Sequence, residues 1–204
     1  MDKIFACGVP RTGSTLIWNI LVKAYPGRTI IKKHPGSWNP EEGIIIGSIR
    51  YPYDTAASCF RTRIVGDKGD GIDVQGTRKG LISELMMMTN NFRCMRDLVD
   101  NWGAIVLRYE RFFNDFDYIF DALEERIGKI SQSVKKRIKE EYSFEAVRNR
   151  LLDANPGDLR IDRMGVSHVA LGYPGAWKAI IPFWGYDTLK KWCDPLCQEW
   201  GYAN

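Results

Sequence analysis

Gly8-Val9-Pro10-Arg11-Thr12-Gly13-Ser14-Thr15 has the spacing of a phosphate-binding loop, and its neighbours say what it joins. Upstream, Ile4-Phe5-Ala6-Cys7 is a short apolar run suited to a buried strand; downstream, Leu16 to Val22 can continue as a helix. A strand-to-helix junction aims backbone N–H groups and the positive end of the helix dipole at an anion, with Gly8 and Gly13 allowing close approach. In an ATP-using enzyme the loop carries a lysine for the β/γ-phosphates, followed by a Ser/Thr that holds magnesium. Here Ser14 stands at the lysine position and the only cation in the loop is Arg11. A triphosphate with its metal is poorly served by that set. A short, metal-free phosphoanhydride fits it better.

Working outward, Arg28 to Ile31 reads as a second strand, Gly43 to Ile49 as a third and Ala104 to Leu107 as a fourth. Helices are expected at 54–63, 81–99, about 114–127 with Gly128 as a cap, 131–150 in one or two pieces, and 187–200. Leu81, Leu85, Met88, Phe92, Met95 and Val99 recur at helical spacing and predict a core face. Strands alternating with helices argue for a parallel α/β sheet, which binds ligands at the carboxyl ends of its strands. Arg11, then Lys32-Lys33-His34, then Arg50 and Asp54, then Tyr109-Glu110 each follow a predicted strand. A parallel sheet brings those four loops to one edge, around one anion.

With 204 residues, 45% of them hydrophobic, the chain is expected to form one domain over 1–204 with a core that needs neither disulfide nor metal. Five cysteines, Cys7, Cys59, Cys94, Cys193 and Cys197, are odd in number and irregular in spacing, which predicts reduced thiols and a cytoplasmic location. Two histidines, His34 and His168, cannot build a His-rich metal site, and His168 reads as a turn or core residue. No apolar run approaches the roughly 18 residues that span a bilayer, and no signal peptide is expected. The net charge of +4 suits anionic ligands. There is no basic arm for nucleic acid, and Lys135-Lys136-Arg137 reads as a solvated helix face.

Five segments in order resemble the sulfotransferases that use 3′-phosphoadenosine 5′-phosphosulfate (PAPS). Pro10 to Thr15 is similar to the loop for the 5′-phosphosulfate, Arg11 taking a place often held by lysine. Ile30-Ile31-Lys32-Lys33-His34 is similar to the strand end whose histidine is the catalytic base. Arg50 to Ser58 resembles the 3′-phosphate segment, with an arginine at a strand end and a serine eight residues on. Leu107 to Glu110 is similar to the segment whose tyrosine approaches adenine, and Gly172 to Lys178 to the Gly-x-x-Gly-x-Trp-Lys stretch that closes over the nucleotide. The resemblance implies an α/β, P-loop-NTPase-like three-layer fold with a central, mostly parallel sheet flanked by helices. It also implies PAPS as donor, adenosine 3′,5′-bisphosphate (PAP) as product and no metal. The implied cofactor-binding residues are Arg11, Thr12, Gly13, Ser14, Thr15, Arg50, Ser58, Tyr109, Gly172 and Trp177, and the implied catalytic residues His34, Lys32 and Arg11. Two departures stand out: Ala170-Leu171-Gly172 replaces an Arg-Lys-Gly triplet that contacts the 3′-phosphate, and Leu16 replaces a tryptophan after the loop. Arg78-Lys79-Gly80 repeats the triplet in the wrong place.

The chemistry agrees with the resemblance. A 3′,5′-bisphosphorylated nucleotide needs two anion sites: a helix N-terminus with Arg11 serves one, Arg50 with the Ser58 hydroxyl the other. Arg50 suits bidentate contact with phosphate oxygens. His34 can take the acceptor's proton near neutral pH, while Lys32 and Arg11 stabilise the departing oxygen. Set beside the cytosolic sulfotransferases it resembles, the gap from Arg11 to His34 is short, which implies an open acceptor cleft favouring a sugar or other extended hydroxylated acceptor, with Trp38 either stacking on it or packing in the fold. A P-loop kinase using ATP and magnesium, and a non-catalytic nucleotide or glycan binding module, are the alternatives.

Overall fold

The computed structural model describes residues 3–37, 43–65, 78–153 and 173–202. Four parallel strands, β1 (Lys3–Gly8), β2 (Thr29–Lys33), β3 (Ile44–Ile49) and β4 (Ile105–Arg108), lie in the order β2-β1-β3-β4. Because the strands are parallel, their register sets which chemistry meets at the carboxyl edge: Cys7 lies opposite Lys33, Gly8 opposite Ser48, and Ile49 opposite Arg108. The chain leaves β1 toward β2 and then crosses back to β3 on the other side of β1. The crevice where the order reverses, the usual ligand position in open α/β sheets, therefore opens between the loops after β1 and β3.

Side chains alternate strictly, and both faces are apolar, as a doubly covered parallel sheet requires. Ile4, Ala6, Ile46 and Leu107 point to one face, where α1 (Ser14–Ala24), α5 (Phe116–Arg126), α6 (Gln132–Tyr142) and α7 (Phe144–Asp153) close a core containing Ile17, Ile20, Phe120 and Ile138. Phe5, Cys7, Ile45 and Ile49 point to the other, under α2 (Pro52–Val65), α3 (Arg78–Trp102) and the last helix, α9 (Tyr186–Glu199). This is the α/β three-layer arrangement expected. A single turn, α4 (Tyr109–Phe112), continues β4, and another, α8 (Trp177–Ile180), precedes α9.

The element boundaries differ from the sequence reading by a few residues. Helix α2 begins at Pro52, a residue favoured at a helix's first position because it has no N–H to orphan. Helix α3 starts at Arg78, so Arg78 and Lys79 lie exposed on its first turn. The 131–150 segment is two helices, α6 and α7, parted at Ser143, whose hydroxyl accepts from the Ala146 N–H at 3.3 Å. Lys136 and Arg137 form the expected surface pairs with Glu140 and Glu141. Lys135 differs: it is mostly buried, 2.9 Å from Glu124. All five cysteines are free thiols, and Cys193 and Cys197 belong to the core face of α9. No helix among the described residues is long and apolar enough to cross a membrane.

Candidate nucleotide and transfer site

The loop after β1 is held rigid by its own backbone and by β3. Val9 N–H donates to the Ser48 carbonyl at 3.2 Å, and the Thr12 N–H returns to the Val9 carbonyl at 3.3 Å. Thr12 is fully buried; its hydroxyl lies 2.6 Å from the Val9 carbonyl and 2.9 Å from both the carbonyl and the hydroxyl of Ser48. Its side chain thus braces the loop from behind. Gly8 is obligatory, since a Cβ there would sit 2.3 Å from Ser48 Oγ and 2.7 Å from Ser14 Cβ. Gly13 has a φ of +84° and a Cβ would strike the Phe112 ring at 2.8 Å. Arg11, at φ +69°, is the one non-glycine with a left-handed backbone among the described residues. That conformation costs on the order of 1–3 kcal/mol and tends to persist at functional sites.

From this loop a cavity of about 310 Å³ extends along the carboxyl edge of the sheet. Pro10, Arg11, Gly13, Ser14 and Thr15 form its floor, and Lys32, His34, Arg50, Ser58 and Tyr109 arrive from the three other strand ends and α2. The expected convergence of the four loops is therefore present in space. Lys32 lies within β2, on the same face as Ile30, and donates to the Thr15 hydroxyl at 2.5 Å. His34, just past β2, is exposed at the rim, its Nδ1 3.5 Å from the Gly8 carbonyl.

Arg50 is buried at the second corner. Its guanidinium lies over the Tyr109 ring at 4.5 Å, 4.0 Å from the Asp54 carboxylate, and donates to the Tyr173 carbonyl at 3.2 Å. Ser58, one further turn along α2, lines the same cavity. Burial, then Glu84, push the Cys59 thiol up to about 12 against the opposing pull of Arg11 and Arg50, and burial, then Arg11, hold Arg61 below its usual range. Several guanidiniums brought together while partly desolvated favour an anion among them.

Asp54 and Glu110 follow strands as anticipated, but both tie backbone together. Asp54 accepts from the N–H groups of Gly175 and Trp177, and Glu110 from the Tyr51 N–H at 2.6 Å and the Tyr202 hydroxyl at 3.2 Å. Trp177 packs against Tyr53, ring centres 4.8 Å apart, and does not line the cavity. Trp38, His168, Gly172 and the Ala170-Leu171-Gly172 departure lie outside the described residues.

The far wall is aromatic, which the sequence reading did not anticipate. Tyr109 meets Phe112 edge-on at 5.2 Å and tilts against Phe113 at 5.6 Å; Phe113 in turn meets Phe144 at 5.4 Å. Phe116, Tyr142, Val147 and Leu16 complete the lining. Phe112, Phe113 and Phe116 crowd behind the β4 strand end, a signal available in the sequence. Tyr142 and Phe144 come from the junction of α6 and α7, and nothing local marked them. Burial pushes the Tyr109 phenol up to about 12, with Arg50 pulling the other way, so it presents a neutral ring. A flat π-system could lie against such rings at about 1–3 kcal/mol per stacked base.

A braced glycine-bearing loop, a second guanidinium corner and an aromatic wall meet in one cavity at the carboxyl edge of an α/β sheet of P-loop-like class. No family model matches the sequence, and no curated protein does. Solved structures do. Mouse sulfotransferase SULT7A1 complexed with PAP is 15% identical, with a TM-score of 0.67 over 94% of this chain and 84% of that one. Retinol dehydratase in complex with androsterone and inactive cofactor PAP is 16% identical, with a TM-score of 0.66 over 96% and 80%. The fold of this chain is the sulfotransferase fold.

Proposed function

We propose that the protein is a PAPS-dependent sulfotransferase that moves a sulfuryl group to a hydroxyl, or an amine, of an acceptor. The observation that carries this reading is the pairing, in one cavity, of a loop with Ser14 in place of the ATP-binding lysine and a separate Arg50–Ser58 corner, joined by an aromatic wall. That set suits a nucleotide with phosphates at both ends of its ribose, and the PAP-bound neighbours support it. In this reading Gly13, Ser14 and Thr15 with Arg11 hold the 5′ end through α1's N-terminus, Arg50 and Ser58 hold the 3′-phosphate, and Tyr109 and Phe144 face the base.

The donor, when bound, supplies an activated sulfuryl group and a bisphosphate leaving group. Arg11 and Lys32 offer positive charge beside the loop, where negative charge grows on the departing oxygen. The Lys32–Thr15 hydrogen bond keeps that ammonium at the first turn of α1. His34, exposed at the cavity mouth, takes the proton from the acceptor oxygen. An exposed base at an open rim suits an extended hydroxylated acceptor such as a sugar. We further propose that the whole chain acts as one domain, without a metal, in the cytoplasm.

Calorimetry with adenosine 3′,5′-bisphosphate against ATP-magnesium, followed by transfer from sulfate-labelled donor to an acceptor library, tests the reading. Micromolar or tighter binding of the bisphosphate with weak ATP binding, and label in an acceptor, are expected. Preference for ATP-magnesium would make the protein a kinase; bisphosphate binding with no transfer to any acceptor would make it a binding module.

A further inference from the structure

Asp54 is 2% exposed, carries a carboxylate in the first turn of α2, and is not among the residues lining the cavity described above. Burying a carboxylate is costly unless its oxygens are satisfied, and here the partners show what the charge is for. Oδ2 accepts from the Gly175 N–H at 2.7 Å and Oδ1 from the Trp177 N–H at 3.0 Å, two amides more than a hundred residues away in sequence. Oδ2 also lies 4.0 Å from Arg50 Nη2, four residues earlier, and the same Nη2 donates to the Tyr173 carbonyl at 3.2 Å. Arg50 and Asp54 together therefore hold one stretch of backbone, 173–177, the arginine by a carbonyl and the carboxylate by two amides. Gly175, with a φ of +85°, supplies the bend that turns both amides toward one carboxylate. Trp177 then seats its ring on Tyr53, the residue before Asp54.

We infer that Asp54 is a positioning residue that couples occupation of the Arg50 anion corner to the seating of segment 173–177 against it. The inference rests on the sulfotransferase reading for its ligand, adenosine 3′,5′-bisphosphate. Asp54's charge is satisfied by two backbone donors as well as by Arg50, so Arg50 is oriented by Asp54 without being consumed by it. The five N–H donors of a guanidinium allow one arginine to contact phosphate oxygens and the Tyr173 carbonyl together. A 3′-phosphate that fixes Arg50 therefore also fixes the 173–177 backbone.

A plain counter-ion makes the opposite prediction. If Asp54 served only to neutralise Arg50, removing its charge would strengthen anion binding; if it positions Arg50 and the segment, removal weakens it. Asp54→Asn keeps the shape but turns one acceptor into a donor facing a backbone N–H. By calorimetry, the ratio of the dissociation constant for adenosine 5′-monophosphate to that for the 3′,5′-bisphosphate is expected to fall about tenfold or more. A general loss of stability would weaken both ligands alike and leave the ratio unchanged. An unchanged ratio, or tighter bisphosphate binding, overturns the inference.

Hydrogen exchange on the unaltered protein provides a second test should the variant not fold. The Gly175 and Trp177 amides are expected to exchange at least fivefold more slowly with saturating bisphosphate than with saturating monophosphate. Equal protection by the two ligands overturns the coupling while leaving the sulfotransferase reading intact. Absence of any bisphosphate binding overturns both.

Discussion

At the Gly8–Thr15 corner eight consecutive residues supply all but Lys32, which reaches in from β2, whereas the Arg50 corner gathers a strand end, a serine two turns along α2, a buried carboxylate and a backbone segment from 173–177. The first corner offers backbone and a helix terminus, braced by Thr12 against Ser48. The second offers a guanidinium packed on Tyr109 and 4.0 Å from Asp54. A local corner survives changes elsewhere in the fold, but tolerates almost no change in its own residues. An assembled corner depends on contacts made far from the ligand, and can therefore be weakened without touching it.

Substitutions can break or sharpen that contrast. The largest effect should come from outside both corners: His34→Ala is expected to lower turnover by about 10²–10⁴ while leaving bisphosphate affinity within about twofold of the parent's. Turnover measured beside calorimetry checks this, and undiminished transfer would remove His34 from the chemistry. At the assembled corner, Arg50→Ala should weaken the 3′,5′-bisphosphate by about one to two orders of magnitude, from the loss of a charge-assisted contact. Adenosine 5′-monophosphate should be affected far less; an equal loss for both would deny that the two corners are separate.

Gly8→Ala probes the local corner in the opposite way. Its Cβ would overlap Ser48 Oγ and Ser14, an overpacking worth about 1–3 kcal/mol. It should weaken both nucleotides in parallel and lower the melting temperature by several degrees. The smallest effect lies far from either corner. Glu124 accepts from the Ile130 N–H at 2.8 Å and pairs with Lys135, and these contacts hold its carboxyl below the usual carboxylate range. A depressed folded-state value means stability present above the unfolded value near 4.3 and lost as pH falls through the folded one. Urea melts should show a shallower loss on acidification for Glu124→Gln than for the parent, with nucleotide affinity at neutral pH unaltered.

The unequal legibility of the two corners in the sequence follows from the same contrast. The loop was readable because strand, glycines and helix are contiguous, and Ser14 alone turned the reading away from ATP. The strand ends bearing Lys32, His34, Arg50 and Tyr109 were readable because a parallel sheet must place them on one edge. Asp54 was noticed only as one more polar residue after a strand. That it fastens Gly175 and Trp177 depends on a pairing more than a hundred residues apart, which no local pattern records. Trp177 was tied to the nucleotide by resemblance, yet its ring lies on Tyr53 and Tyr186. Tyr142 and Phe144 went unread because they reach the cavity only through the junction of α6 and α7, which no local pattern ties to the strand ends.

By itself, then, the chain of residues determined the alternation of strand and helix, the glycine-bearing loop between β1 and α1 and the edge at which charge would collect, because hydrophobic periodicity and glycine placement act over a few neighbouring residues. The tertiary structure alone decided which rings face the cavity, which carboxylates bind backbone instead of ligand, and how Arg50 is aimed. Those outcomes depend on packing between helices distant in sequence, where desolvation makes every buried polar atom find a partner wherever the fold supplies one.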